Sequence, residues 1–233
     1  MVGKLYGVGL GPGDPELMTL RAHRLISQAR VVAYPTLAGG ESFARAIAAD
    51  VIPTGAREIA MDVPMSTARE PAQAAYDIGA ADIAAALEAG DDVVCLCEGD
   101  PFFYGSFMYL FARLSTRFEV EVVPGVTSIT TCAARAGLPL AARNERLTVL
   151  PGPLPEDELR ARIEGAESVA IMKVGRHMAK IRGVIDGLGL TSRAVYVERA
   201  SLPQEVVCPL AEAPEAAPYF SMILLTKGAD PWL

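Results

Sequence analysis

Three features of the sequence predict an α/β protein of two domains, the first with a mostly parallel sheet and the second with a mixed one. Short apolar runs alternate with stretches of helical periodicity through the first half. That is the pattern of βα units, which lay parallel strands between layers of helix. A break at Val123-Pro124-Gly125-Val126 interrupts the alternation. Near the C-terminus, the strand-like runs 206–209 and 221–226 follow each other without a helix between them, which predicts antiparallel pairing. The expected domains are 1–123 and 124–233.

The elements follow in order. Residues 4–10 are apolar and read as a buried strand, ending in the glycine-rich turn GLGPGDPE. Leu17, Leu20, Arg24, Leu25 and Gln28 fall at helical spacing, so 16–29 is expected to be one helix, with Asp14 as its N-cap and Pro15 in its first turn. A second strand, 31–34, is stopped by Pro35, and 43–49 is a short helix. Residues 71–89 form a long alanine-rich helix closed by Gly90. The apolar strand 92–97 is broken by Glu98-Gly99-Asp100-Pro101, and a helix at 104–114 and a strand at 118–123 complete the first domain. Beyond the break, 127–136 is helical. Residues 150–155 hold three prolines and a glycine and are expected to be a loop. A helix at 156–164, a strand at 168–172, a helix at 177–187 and a strand at 194–198 precede the two last strands.

The chain of 233 residues is long enough to bury about 70% of its unfolded surface without staples. Its formal charge of −7 has the wrong sign for gripping nucleic acid and favours a small-molecule role. An anionic substrate would need a local cluster of arginines. The four cysteines show no CxxC pair and read as free thiols of a reducing compartment, and with two histidines a structural metal site is not expected. The N-terminus lacks the form of a signal peptide, and no apolar run approaches the roughly 20 residues of a membrane helix. The expected location is the cytoplasm.

Three clusters carry the chemistry. The turn Gly7-Val8-Gly9-Leu10-Gly11-Pro12-Gly13-Asp14 fails as a dinucleotide fingerprint, because Pro12 and Asp14 stand where GxGxxG requires glycine. The Walker pattern fails too, for want of Gly-Lys-Ser/Thr, and a carboxylate at the helix start opposes a phosphate there. The turn is either a tight strand-to-helix connection or a backbone that a flat ligand approaches closely. Glu98-Gly99-Asp100-Pro101-Phe102-Phe103-Tyr104-Gly105-Ser106 lies at the carboxyl end of a buried strand, where open α/β sheets bind ligands. Its plain alternative is an Asp-Pro turn into a helix. In Pro124-Gly125-Val126-Thr127-Ser128, Thr127 or Ser128 can cap the following helix and still face a ligand.

In this order and spacing the clusters resemble the tetrapyrrole methyltransferases, the corrin and porphyrin methylases. The matching segments are GVGLGPGDPELMTLRA, VVAYP, EGDPFFYGS, VVPGVTSITTCAARAGLP and MKVGR, and the likeness covers nearly the whole chain. Further segments, VVAYPTL, CEGDPFFYGSFMYLFARL, LPLAARNERLTVLPG and YVERASLPQEV, look like one branch of that family working in cobalamin synthesis. The resemblance implies two α/β domains, S-adenosylmethionine folded into a cleft between them, and a homodimer. It maps cofactor contacts onto Pro12, Glu98, Gly99, Asp100, Phe103, Thr127 and Ser128, with further contacts at Met172 and around Ala200. A cofactor without phosphate agrees with the failed phosphate patterns. Members acting on uroporphyrinogen carry an Asp directly after the tyrosine of the second strand, with an acid–base role. Here that position is Pro35, which removes that candidate.

The chemistry implied is attack of a meso carbon of a reduced tetrapyrrole on the activated methyl group, followed by loss of a proton. Asp14, Tyr104 and Glu98 are the candidate catalytic groups, with Asp14 open equally to a plain capping role. Arg21, Arg113, Arg135, Arg143 and Arg146 lie in or near the cleft segments and suit the substrate's carboxylate arms. His23 and His177 read as structural or surface residues, and Met172 and Met222 are equally good core fillers.

Overall fold

The apolar runs of the first half build a sheet of five parallel strands: β1 (Leu5–Gly9), β2 (Val31–Thr36), β3 (Arg57–Asp62), β4 (Val93–Cys97) and β5 (Val120–Val123). Their order is β3-β2-β4-β1-β5. Central β4 is buried at all five residues, as expected of a strand covered on both faces. The computed structural model describes residues 1–36, 40–64 and 69–228, so Leu37 of the VVAYPTL segment and the last residues of the expected second domain lie outside the described residues.

Alternation along each strand sends its side chains to two helical layers. Val32, Tyr34, Val94 and Leu96 meet Ala22 and Ile26 of α1 (Leu20–Ser27) and Ala44 and Ile47 of α2 (Phe43–Ile47). Val31, Ala33, Val93, Cys95 and Cys97 meet Tyr76, Ile83 and Leu87 of α3 (Arg69–Glu88) and Phe107, Leu110 and Leu114 of α4 (Phe107–Leu114). Each large apolar side chain so buried contributes roughly 1.5–3 kcal/mol. Gly7 belongs to this packing: a Cβ there would lie 2.2 Å from the Phe107 ring.

Four expectations are corrected in the first half, the first being the stop at Pro35, which instead lies inside β2. The helix expected at 16–29 is a 3₁₀ turn, Pro15–Leu17, followed by α1. Thr19 is extended and caps α1 by accepting from the Ala22 amide at 3.1 Å, so a second cap restarts the helix that the leucine spacing makes look continuous. The helix expected from 104 begins at Phe107, because Tyr104 sits at φ +56° in the left-handed region. The strand expected from 118 begins at Val120. Strand β3 has no counterpart among the expected elements: it is a sheet edge, only Ile59 and Met61 are buried, and the rest of REIAMD is exposed.

The chain divides into two compact units, Met1–Thr127 and Ser128–Leu233. The second holds a mixed sheet in the order β6-β7-β10-β8-β9, built from β6 (Leu147–Pro151), β7 (Ser168–Met172), β8 (Ala194–Glu198), β9 (Val206–Pro209) and β10 (Ser221–Thr226). Only β6 and β7 run parallel; the other pairs are antiparallel. One face packs on α6 (Glu156–Glu164) and α7 (Met178–Gly187) through Leu159, Ile163, Ile181 and Val184. The other packs on α5 (Ser128–Ala136) through Ile129, Cys132 and Ala133.

Two further corrections fall here. Leu150 and Pro151, expected in a loop, complete β6; an edge strand tolerates a proline because one side needs no ladder hydrogen bond. β9 and β10 do not pair with each other. Both pair with β8, which lies between them, because the apolar run of β10 belongs in the sheet interior and exposed β9 at its rim. No helix among the described residues is long and apolar enough to cross a membrane.

Candidate functional site

The first unit brings the three sequence clusters together at the carboxyl ends of β4, β1 and β5, which are adjacent. The Leu10 amide donates to the Cys97 carbonyl at 2.9 Å, and Gly99 and Gly11 exchange backbone bonds of 2.8 and 3.3 Å. The turns after two parallel strands are thereby joined as a short antiparallel bridge. Asp100 adds the third turn. One carboxylate oxygen accepts from the Phe102 amide at 2.9 Å and the other from the Gly125 amide at 3.0 Å.

This convergence has no room for side chains. A Cβ on Gly9 would lie 2.6 Å from the Gly125 nitrogen and 2.7 Å from the Gly99 oxygen, and one on Gly125 would lie 2.1 Å from that oxygen. Gly99 itself sits at φ +63°, where glycine is strain-free. The helices that follow β1 and β4 pack on opposite faces of the sheet. Adjacent strands with that divergence leave the crevice in which open α/β sheets hold ligands. Gly7 serves packing, and Gly9 serves the close approach of the three turns to one another.

The remaining residues of this unit are placed around that bridge. Glu98 is half-buried, and burial pushes its carboxyl above the usual carboxylate range, opposed by the amides of Glu98 and Ala44. Asp14 accepts from the Glu16 amide at 2.9 Å, the capping geometry. Pro12 and Thr127 are half-buried. The three aromatics separate: Phe102 stacks edge-on against Phe111 at 5.1 Å, while Phe103 and Tyr104 pair with each other at 5.3 Å and stay partly exposed.

In the second unit, β7 and β8 are both antiparallel to β10, so their carboxyl ends share one edge of the sheet. Met172 ends β7 and Ala200 follows β8. Both pack with the α5 cluster, and Ser128 opens that helix. Ala200 lies between two non-glycine residues in the left-handed region, Arg199 at φ +48° and Ser201 at φ +69°. Such conformations cost about 1–3 kcal/mol each and persist only where their surroundings hold them.

Of the candidate arginines, Arg21 and Arg113 belong to the first unit and Arg135, Arg143 and Arg146 to the second. Arg21 pairs with Glu121. Arg113 donates to Asp77 at 2.7 Å, to the Tyr109 carbonyl at 2.9 Å and to Gln73 at 2.9 Å, which ties α4 to α3. Arg135 pairs with Glu205 at 2.7 Å and Arg146 with Glu167 at 2.7 Å. Arg143 is exposed at φ +48°. Exposed pairs are worth about 0–1 kcal/mol, so a substrate carboxylate can compete for Arg21 or Arg146; Arg113, with three acceptors, is a structural tie. His23 is exposed, and His177 is held below its ordinary value by burial, with Lys180 and Arg176 adding to it.

Three carboxylates absent from the sequence-based candidates do structural work. Glu58 accepts from the Tyr34 hydroxyl and from Arg45 at 2.6 and 2.9 Å, fixing α2 against the residue before Pro35. Glu198 and Glu205 hold the loop around Ala200. Their only sequence signal is the acidic residue at each end of ERASLPQE.

A family model described as tetrapyrrole (corrin/porphyrin) methylases matches residues 4–214. The chain is 42% identical to a precorrin-2 C(20)-methyltransferase of Sinorhizobium sp, over 98% of this chain and 97% of that one. It is 33% identical to a cobalt-precorrin-2 C(20)-methyltransferase of Salmonella typhimurium, over 97% and 98%. Its fold is similar to a solved structure of uroporphyrin-III C-methyltransferase from Thermus thermophilus complexed with S-adenosyl homocysteine. The TM-score is 0.68 at 28% identity, covering 97% of this chain and 92% of that one.

Proposed function

Because the chain belongs to the tetrapyrrole (corrin/porphyrin) methylase family, we propose that it transfers the methyl group of S-adenosylmethionine to carbon 20 of precorrin-2, giving precorrin-3A in cobalamin biosynthesis. The observation that carries this reading is the near-full-length identity to the Sinorhizobium precorrin-2 C(20)-methyltransferase. The Salmonella relative favours a second reading, the cobalt-loaded form of the same substrate.

The residues fit such a cofactor. The cradle of Gly9, Gly99 and Gly125 offers backbone groups without side chains, which suits a flat, phosphate-free ligand. When bound, S-adenosylmethionine supplies an electrophilic methyl group. In this reading Pro12, Gly99, Phe103, Thr127, Ser128, Met172 and Ala200 bind and orient the cofactor, and Asp100 holds two of the turns in register. Phe103 and Tyr104 exclude water from the reacting carbon. Orientation of this kind lowers a barrier by about 7–11 kcal/mol. Glu98, whose carboxyl burial holds above the usual carboxylate range, is the first candidate to exchange a proton, a role worth about 10²–10⁴-fold. Asp14 and Tyr104 are the other candidates. Arg21, Arg143 and Arg146 are the exposed arginines able to turn toward the substrate's carboxylates. The product cofactor is S-adenosylhomocysteine, and the enzyme works in the cytoplasm as a homodimer, without nucleic acid or membrane.

The test is a methyl-transfer assay with methyl-labelled S-adenosylmethionine and precorrin-2, metal-free and cobalt-loaded, with the label located by NMR. Label on carbon 20 from metal-free substrate supports the first reading. Label only with cobalt selects the second, and label on another carbon refutes both.

A further inference from the structure

The loop after β8 is held by two carboxylates, each beside one strained residue. Glu198 accepts from the Arg199 guanidinium at 2.6 Å and from the Tyr196 hydroxyl at 2.9 Å. Glu205 accepts from the Ser201 amide at 2.6 Å. The same Glu205 carboxylate takes Arg135 of α5, with Nε at 2.7 and 2.8 Å from its two oxygens. The Glu205 side chain is only 14% exposed. Backbone bonds from Leu202 to Arg199 and from Glu205 to Leu202, both 3.0 Å, close the turn. Left-handed residues other than glycine relax unless something holds them, and here the holding group is an ion pair reaching in from a different helix.

We propose that Glu205, braced by Arg135, is a positioning residue that keeps Arg199–Ser201 in the conformation presenting the Ala200 backbone to the cofactor. The proposal rests on the reading of Ala200 as a cofactor contact. It also gives Arg135 a different task from gripping substrate: its guanidinium pairs with the same carboxylate that accepts from the Ser201 amide and so fixes where that acceptor stands. Glu198 is the second anchor, fixing the other flank through Arg199.

Amide hydrogen exchange and calorimetric titration with S-adenosylhomocysteine, on the full chain, test this. In Glu205→Ala the Ser201 amide exchanges faster and the Kd rises, each by about tenfold or more, as loss of a charged hydrogen bond predicts. The amides of β7, β8 and β10 keep their wild-type protection. Glu205→Gln restores an acceptor for Ser201 and recovers part of the affinity. Arg135→Ala leaves the Ser201 bond in place and weakens binding less than Glu205→Ala. Unchanged exchange at Ser201 in Glu205→Ala overturns the proposal. So does faster exchange with wild-type affinity. In that case the wild-type protein decides where the failure lies: if S-adenosylhomocysteine does not slow exchange across 199–205, the reading of Ala200 as a contact is what fails.

Discussion

The two units shape their loops by opposite means. In the first, backbone bonds join two turns, the Asp100 carboxylate ties in the third, and glycines allow the convergence by leaving side chains out. In the second, a turn of ordinary residues is forced into left-handed conformations, and carboxylates hold it there. The difference teaches what each region tolerates. A junction made by omission fails when volume is added. A turn held by ion pairs fails when a side chain is removed, and its exposed partner is open to screening.

Predictions that break this contrast run from large to small. Gly125→Ala puts a Cβ 2.1 Å from the Gly99 oxygen, a backbone atom that cannot turn aside. It is expected to cost about 3 kcal/mol or more and to abolish S-adenosylhomocysteine binding, as read by thermal melting and titration. Asp100→Ala leaves the Phe102 and Gly125 amides without their acceptor, an expected loss of about 1–3 kcal/mol in denaturant unfolding.

The next effect depends on pH. Burial raises the folded-state value of Glu98 above its ordinary 4.5. The folded state therefore favours the protonated form, and the stability this brings is complete below the ordinary value and lost as pH rises through the folded one. Glu98→Gln removes that loss. It is expected to melt higher than wild type near pH 8 and to show no such advantage near pH 4, in calorimetric scans across that range. The smallest effect is a control for the first. Gly183 lies inside α7, and a Cβ added there would meet nothing within 4 Å, so Gly183→Ala is expected to stabilise by about 0.5–1 kcal/mol in the same melts.

The contrast also explains what is legible in the sequence. β4, β7, β8 and β10 are buried apolar runs, and such runs declare themselves. β3 and β6 escape notice because edge strands bury few residues, and β6 even carries a proline. The break in the first helix is hidden because leucine spacing spans both halves, while Thr19 restarts the helix locally. The order of β8, β9 and β10 defeats a reading from the sequence because adjacency along the chain is a weak guide when one strand pairs on both sides. At the candidate site, glycine-rich turns are visible because their function resides in what they lack. The Arg135–Glu205 brace is not, since its partners stand 70 residues apart and each alone looks like a surface charge.

The measurement that tests the account most directly is a calorimetric titration of the wild-type protein with S-adenosylhomocysteine, ATP and NAD in parallel. A cradle of bare backbone beside Asp14 and Glu98 predicts saturable binding of S-adenosylhomocysteine and no heat from the two phosphate-bearing ligands. Comparable binding of ATP or NAD, or no binding of S-adenosylhomocysteine, would contradict it.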